Sequence, residues 1–537
     1  MPPMTARCHI EIDDRAVEAT RGQSVIEALH THGVVVPALC HHPGLSCPAT
    51  CRSCVVQVEG QGGSRMVTAC NHTVAEGMII RTEDSESRSL RSRALAEMVQ
   101  RHAMACPICP ASGECELQEA IGGHGPQAQA HELAGSSERV ALGARLHFEA
   151  GRCIQCSRCA RFEQEVSGAG QVGIKGRGPQ IEITTGPAGV DHPLSGNLVD
   201  LCPAGALVDP ASTVAAPAWT LRSVDTTCGS CATGCAVRAD VDSAGQVTRL
   251  RPRLDSDVND WWMCDEGRFG FDQELEGRLR LPEPATPDEE TAWHVAVDRL
   301  RRRMAQPRSA VWLSPFLTLE EASVLIDAAT TWGARLFLWS VEDRGEMSFP
   351  GGFRISGSRA PNTTGVGRLR EAGETSVGTT KDLQTAIGED QVGQLLMCGG
   401  GPAGVRPRLD RSGVSFLATH NLVSYEKADL VLPASHWLEK DGTFVNDRQQ
   451  LRRVRPARPP MAGQTDLELF LQLAGREPTS AAEIFRELAS RHEWLEGSSH
   501  AQLDANQRTH PQGVAAGGAW VDTLQRQGLL VIEDPAR

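Results

Sequence analysis

The chain of 537 residues is short of several things, and each shortage closes off a class of function. It has no positive balance: 53 basic against 67 acidic residues leave a formal charge of -14, which argues against a nucleic-acid-binding surface as its main business. No run approaches the roughly 18 to 20 consecutive apolar residues needed to cross a bilayer. The first residues, MPPMTARCHIEIDDR, have no apolar core of about 7 to 15 residues, so a non-secreted chain is expected. Lysine is scarce, with Lys175, Lys381, Lys427 and Lys440 alone among the basic residues, a skew of composition that implies no function. Cysteine is nearly missing from the back half: of 18, all but Cys398 lie at or before Cys264.

What is there divides accordingly. The length implies several domains, and 40% hydrophobic content is enough for each to bury a core. In a reducing compartment, cysteines in tight clusters point to metal ligands rather than disulfides. The front half therefore reads as a metal carrier and the back half as something else.

Residues 8 to 85 read as short strands around one helix. Cys8, Ile10 and Ile12 alternate with polar residues, Asp13-Asp14 makes a turn, and Ser24 caps a helix over Val25 to Thr31 that Gly33 ends. VVQVEG at 55 to 60, Gly62-Gly63 and RMVT signal a hairpin. Cys40, Cys51, Cys54 and Cys70 have the spacing C-x10-C-x2-C-x15-C, and four thiolates from one loop and a later strand suit a [2Fe-2S] centre. Cys47 lies where the shorter plant-type spacing would put a ligand and competes with Cys40, which is preferred. His41 and His42 are read as neighbours of the centre or surface residues, because four cysteines complete the set.

Leu95, Val99 and His102 fall on one face of a helix that begins near Ser89, which places His102 near its C-terminus just ahead of Cys106, Cys109 and Cys115. Three thiolates and a neutral imidazole make a [4Fe-4S] set one negative charge poorer than an all-cysteine one, which raises its potential. Cys153, Cys156 and Cys159 then form C-x2-C-x2-C with a remote Cys202-Pro203, the spacing of a second [4Fe-4S] set; Arg152, Arg158 and Arg161 crowd the same loop, either offsetting cluster charge or merely solvated. Cys228, Cys231, Cys235 and Cys264 read C-x2-C-x3-C-x28-C, a third [4Fe-4S] set with a zinc knuckle as the competing reading.

From about residue 281, helical stretches (AWHVAVDRLRRRM, LEEASVLIDAATTW) alternate with apolar runs (SAVWLS, ARLFLWS, QLLMCG, ADLVLP), which implies an α/β domain with a largely parallel sheet. Gly399, Gly401 and Gly404 match G-x-G-x-x-G after a strand. Pro402 sits inside the turn and Ser424 stands where an acid belongs, so no dinucleotide site is expected.

In this order, the C-x10-C-x2-C module, HAMACPICPASGECELQ, RCIQCSRCARF with LVDLCPAGAL, and CGSCATGC resemble the large iron-sulfur subunit of proton-pumping NADH-quinone oxidoreductase, respiratory complex I. ADLVLPASHWLEKDGTFVNDRQQLRRV resembles the closing part of the molybdopterin-oxidoreductase fold. The resemblance implies a multidomain α+β and α/β chain: a ferredoxin-like β-grasp [2Fe-2S] domain at 1-85, a [4Fe-4S] module with one histidine and three cysteines at 86-145, a ferredoxin-type module at 146-222, a molybdopterin-oxidoreductase-type [4Fe-4S] domain at 223-280, a degenerate α/β domain at 281-465, and a helical segment at 466-537. It implies an electron wire with one [2Fe-2S] and three [4Fe-4S] clusters, the last off the main route, and no catalytic residue of its own. The implied partners are a flavoprotein that oxidises NADH with FMN, its small [2Fe-2S] companion, and quinone-facing peripheral-arm subunits. Membrane association would come only through partners, at the cytoplasmic face of the inner membrane.

Two departures argue against a working molybdenum site. In molybdenum formate dehydrogenases a C-x-K-G-R follows the last cluster cysteine, whereas here the stretch is Cys264-Asp265-Glu266-Gly267-Arg268; and 281 to 465 is short for two pterin-binding domains. A molybdenum-dependent, NAD-linked formate dehydrogenase and a zinc-stapled scaffold stand as the alternatives. The iron-only hydrogenases would need a further catalytic cysteine set, and the diaphorase-type small subunits of NAD-linked hydrogenases stop soon after the third module. Fifteen cysteines and His102 are thus assigned, with Cys8, Cys47 and Cys398 left as packing residues. Bound oxidised clusters would take the charge from -14 to roughly -21.

Overall fold

The computed structural model describes residues 7–60, 62–125, 139–176, 181–211, 216–282, 289–341, 343–372, 377–399, 415–420 and 428–508. Gly401 and Gly404 of the glycine motif, Lys427, and the last 29 residues of the 466-537 segment lie outside them. The chain forms two compact units, one built on Met1–Leu221 with Phe349–Gly352 and one of Arg222–Ser348 with Phe353–His510.

The first unit opens with β1 (Arg7–Ile12) and β2 (Arg15–Thr20), antiparallel across Asp13 and Asp14. Both turn residues are left-handed, at φ 45° and 65°, as a two-residue hairpin requires. α1 (Val25–Thr31) is held by a capping box in which Ser24 and Glu27 satisfy each other's backbone N–H groups. β3 (Val55–Gly60), β4 (Gly63–Thr68) and β5 (Ile79–Arg81) complete a five-stranded sheet in the order β2-β1-β5-β3-β4. The helix buries Val25, Ile26, Ala28 and Leu29 against Ile10, Ile12, Val56, Val58 and Ile80. This is the ferredoxin-like element expected.

α2 (Ser85–Val99), N-capped by Asp84, is locked down by Arg91. Its fully buried guanidinium donates to the carbonyls of Val55 (3.1 Å) and Thr82 (2.6 Å). The expected helical position of His102 needs correction, because the helix stops with Gln100 as its C-cap and His102 sits in the turn beyond. The physical reason is a competing bond: the Ala103 N–H reaches the Gly151 carbonyl at 2.7 Å and pulls the chain away from the helix axis. α3 (Glu116–His124), the antiparallel sheet of β6 (Arg139–Ala141), β7 (His147–Glu149) and β10 (Leu207–Val208), α4 (Arg158–Glu165), the ribbon of β8 (Val172–Lys175) and β9 (Glu182–Thr185), and α5 (Asn197–Leu201) complete the unit.

The second unit begins with a three-stranded antiparallel sheet, β11 (Arg222–Thr227), β12 (Ala236–Val241) and β13 (Val247–Pro252), followed by α6 (Asp265–Leu275). Then come α7 (Glu289–Met304), β14 (Ser309–Leu313), α8 (Leu319–Thr331) and β15 (Arg335–Leu338). A short ladder of β16 (Met347–Ser348) and β17 (Arg354–Ile355) precedes α9 (Thr363–Ala372), β18 (Val377–Thr379), α10 (Thr380–Gly388), β19 (Gln394–Cys398), β20 (Ser415–His420) and β21 (Leu430–Pro433). The larger strands form one parallel sheet in the order β18-β15-β14-β19-β20-β21.

Both faces of that sheet are covered, as an all-parallel sheet demands. Along β14, Val311 and Leu313 enter one apolar cluster while Ala310 and Trp312 enter another. The hairpin of β22 (Gly442–Val445) and β23 (Leu451–Val454) and the helices α11 (Asp466–Leu473), α12 (Ala481–Arg491) and α13 (His500–Arg508) follow. Phe470 of α11 and Ile484, Phe485 and Leu488 of α12 share the cluster with Val311 and Leu313, so these helices are part of the α/β core.

The polar residues of ASHWLEKDGTFVN are consumed inside this unit. Lys440 pairs with Glu321 (2.7 Å) and Asp466 (2.6 Å), Glu439 with Arg278 (2.6 Å), and Thr443 donates to Glu320 (2.9 Å), all of them buried. Removing one partner of such a group strands the others without solvation. Lys440→Met is therefore expected to cost about 3 to 5 kcal/mol of unit stability, read as a lowered thermal transition and faster proteolysis within 289–508.

Asp240 pins the antiparallel sheet in the same way, accepting from Ser223 (2.7 Å) and pairing with Arg249 (2.7 Å) and Arg251 (2.8 Å). Burial pushes its carboxyl up, but Arg251, Arg249 and the Ser223 hydroxyl outweigh that and hold it at about 2. A pKa depressed on folding gives stability that is present above the unfolded value near 3.9 and is lost as pH falls through about 2. The stability gap between the wild type and Asp240→Asn, about 2 kcal/mol at neutral pH, is expected to close between pH 4 and 2 in melts of the full chain.

Candidate metal centres

The four cysteines of the first set meet at the end of the ferredoxin-like sheet. Cys54 follows a tight loop into β3, Cys70 follows β4, and their sulfurs lie 3.3 Å apart. Cys40 accepts hydrogen bonds from Cys51 and Cys70, which hold its thiol well below the ordinary value and push those of Cys51 and Cys70 up. Left-handed residues at Ala49 and Arg52 bend the loop so that Cys51 and Cys54 converge. Cys47 packs against the same cluster as Cys54 and Cys70 and adds to the upward push on the Cys70 thiol, so it lies beside the set. His42 is half-buried and pushed down to about 3 by desolvation, then by Arg158 and His41.

In the second set, Cys106 and Cys109 lie on one turn, with the Cys109 N–H on the Cys106 carbonyl at 3.1 Å, and Cys115 precedes α3. His102 is buried, which lowers its pKa and keeps the imidazole neutral, as a metal ligand must be. Its Nδ1 bonds the Arg152 carbonyl at 3.0 Å, so with the proton there Nε2 is free to ligate. Cys109 meets that group from the other side: Arg152 Nη1 donates to its sulfur at 3.3 Å.

The third set interlocks with the second. Left-handed conformations at Gln155 and Ser157, between the cysteines, curl the loop so that Cys153, Cys156 and Cys159 line one common cavity with Cys202. The Cys115 thiol and the Leu117 N–H both donate to the Pro203 carbonyl, at 3.5 and 3.1 Å. Gly205, at φ +63°, has no room for a side chain, since a Cβ there would stand 3.1 Å from the Cys109 sulfur and 2.6 Å from Ala111.

The arginines of this stretch are buried. Arg158 donates to Glu116 (2.6 and 2.8 Å) and to the carbonyls of Leu201 and Ala38; Arg161 donates to the carbonyls of Cys40 and Ser46. The loops of all three sets are thereby tied to one helix, α4. Sequence reasoning left these arginines open between charge compensation and solvation; the three basic positions flanking ligands were the available signal.

The fourth set lies in the second unit. Cys228, Cys231 and Cys235 close the turn between β11 and β12, and Cys264 caps α6, its sulfur accepting from the Gly267 N–H at 3.4 Å. A Cβ on Gly267 would stand 3.0 Å from the Cys228 sulfur. Asn446 donates to the Thr233 carbonyl and Arg452 to that of Gly234, so the β22-β23 hairpin clasps the ligand loop. Glu266 pairs with Arg359 at 3.2 Å and Arg344 at 3.8 Å.

Burial pushes Cys153 up to about 11 and Cys115, Cys156 and Cys228 up to about 12. Such thiols are poor nucleophiles and need a metal to displace their protons, which suits ligands rather than catalysts. Among the described residues no three histidine, cysteine or carboxylate side chains converge on a single ion. Cluster ligands are expected to stand apart because each binds a different iron of a cubane. Donor chemistry, the cavity and the glycine positions all fit iron-sulfur clusters.

Fold and donor sets together define a multidomain iron-sulfur protein. Family profiles match a 2Fe-2S iron-sulfur cluster binding domain at 5–85, the NADH-ubiquinone oxidoreductase-G iron-sulfur binding region at 91–129, the NADH-quinone oxidoreductase subunit 3 ferredoxin-like domain at 143–208, the molybdopterin oxidoreductase Fe4S4 domain at 221–274, and molybdopterin oxidoreductase at 414–476. The 78 kDa mitochondrial subunit of NADH-ubiquinone oxidoreductase from Candida albicans is 34% identical over 52% of this chain and 39% of its own. Iron-sulfur protein 1 of the mitochondrial NADH dehydrogenase [ubiquinone] from Solanum tuberosum is 34% identical over 50% of this chain and 37% of its own. A solved NAD+-reducing [NiFe]-hydrogenase chain aligns with 40% of this chain and 92% of its own at 27% identity, with a TM-score of 0.36, too low to bear on the fold. Over about half its length the chain is similar to these NADH-ubiquinone oxidoreductase subunits, and the match spans about two fifths of the length of those relatives.

The competition for the binuclear centre makes a direct prediction. Cys40→Ala is expected to abolish the [2Fe-2S] EPR signal and Cys47→Ala to leave it, both measured on anaerobically purified chain.

Proposed function

We propose that the chain is an electron-transfer subunit of an NADH-quinone oxidoreductase, taking electrons from a flavoprotein that oxidises NADH with FMN and passing them toward a quinone-facing subunit. The observation that carries this reading is the unbroken contact path through the first unit: the Cys40 loop to Arg161 and Arg158, these to the Cys159 helix, and Cys202-Pro203 to Cys115. Bound clusters supply the one-electron chemistry. The protein supplies ligands, desolvation and fixed spacing.

The ligand sets are Cys40, Cys51, Cys54 and Cys70 for [2Fe-2S], and His102, Cys106, Cys109 and Cys115, then Cys153, Cys156, Cys159 and Cys202, then Cys228, Cys231, Cys235 and Cys264 for [4Fe-4S]. The second unit is scaffold and docking surface without molybdenum. Two features support that: Glu266 is engaged by arginines at the position where a lysine would meet a pterin, and the single parallel sheet spends its polar motif on internal ion pairs. No helix among the described residues is long and apolar enough to cross a membrane, and attachment at the cytoplasmic face through partner subunits completes the proposal.

Anaerobic iron and sulfide counting with elemental analysis tests it. About fourteen irons per chain and no molybdenum are expected. Stoichiometric molybdenum would favour the formate dehydrogenase alternative, and a colourless chain holding zinc would leave only the scaffold.

A further inference from the structure

Arg152 stands out because its two ends serve one centre while its chain neighbour, Cys153, belongs to the next. Its main-chain carbonyl fixes the His102 ring through Nδ1 at 3.0 Å. Its side chain, 4% exposed, returns across the same site so that the guanidinium donates to the Cys109 sulfur at 3.3 Å. The charge is held there by Glu149, itself buried, at 3.0 Å, and Glu149 is also paired with Arg139 at 3.6 Å. Glu149 is anchored in turn, its N–H on the Ala206 carbonyl at 2.9 Å, four residues past Cys202.

From this geometry we infer that Arg152 is the residue that sets the reduction potential of the histidine-ligated centre. Reduction adds one negative charge to a desolvated cluster. A buried guanidinium donating an N–H to a ligand sulfur stabilises that added charge, and so raises the potential. Glu149 acts in the opposite sense by neutralising part of the cation. The pair is a charge couple attached to the cluster, with the guanidinium against the sulfur and the carboxylate behind it. Arg152 is a positioning residue as well, because the carbonyl that orients His102 belongs to the same backbone that enters the next ligand loop. The inference rests on the reading of His102, Cys106, Cys109 and Cys115 as cluster ligands.

EPR-monitored redox titration of the anaerobically purified full chain tests it, using Arg152→Gln, Arg152→Lys and Glu149→Gln. Arg152→Gln is expected to shift the reduced-to-oxidised ratio of this centre at fixed potential about tenfold toward oxidised, about 59 mV downward for a one-electron couple. Arg152→Lys should keep most of the wild-type value, and Glu149→Gln should move the midpoint up. The binuclear centre should not move in any of them. Opposite shifts from the two partners of one ion pair are a signature that a merely structural role would not produce.

If Arg152→Gln loses the cluster, Glu149→Gln still decides by the direction of its shift, with Arg152→Lys expected to stay close to the wild-type midpoint. An unmoved midpoint in Arg152→Gln or Glu149→Gln, or shifts of one sign in these two, with the wild-type signal intact would overturn the role of Arg152 alone. A wild-type chain that lacks the signal would overturn the ligand reading and this assignment with it.

Discussion

A cysteine set for an iron-sulfur cluster gathers anionic sulfur where water is excluded, and on the proposed reading the buried arginines of the first unit are what make three such sets tolerable side by side. Arg152, Arg158 and Arg161 are each within one or two positions of a ligand in the chain, yet their guanidiniums reach into neighbouring loops. A planar guanidinium with five donors can satisfy more carbonyls, sulfurs and carboxylates at once than the three donors of a lysine ammonium. The composition, rich in arginine and nearly empty of lysine, thus acquires a local use at these three positions even though the skew itself implies none.

The second unit solves a different problem. It carries one cysteine loop and a large α/β body whose polar motif is turned inward. Lys440, Glu439, Thr443 and Asn446 each find a partner within the fold: Glu321 and Asp466, Arg278, Glu320, and the Thr233 carbonyl. The same hairpin closes over the fourth cysteine loop, so scaffold and loop fold as one piece. The motif's contacts within the protein are sufficient reason for this stretch to fold.

Local signals were legible in the chain and distant ones were not. Ser24 and Glu27 announce α1 because a capping box is contained in four residues, and the β3-β4 hairpin and the β14, β15, β19 and β21 strands announce themselves by short-range pattern. His102 illustrates the limit. Helical spacing placed it on α2, but a bond between Ala103 and Gly151, some fifty residues away, decided otherwise. The arginines show the same thing, since Arg161 reaches Cys40 across more than a hundred residues and no spacing rule encodes that pairing. The cysteine spacings themselves were readable because cluster geometry constrains neighbours in sequence; the cradle at Gly205 and Gly267, which depends on other ligand loops, was not.

If the first unit holds its centres as one clasped electron path, those centres must sense one another's charge and spin. Pulsed EPR on the partially reduced full chain reads this out through the relaxation of the binuclear signal. With the centres held together as the arginine contacts require, reduction of the tetranuclear clusters will speed that relaxation strongly. A binuclear signal whose relaxation is indifferent to their redox state would mean that the clasped path does not exist.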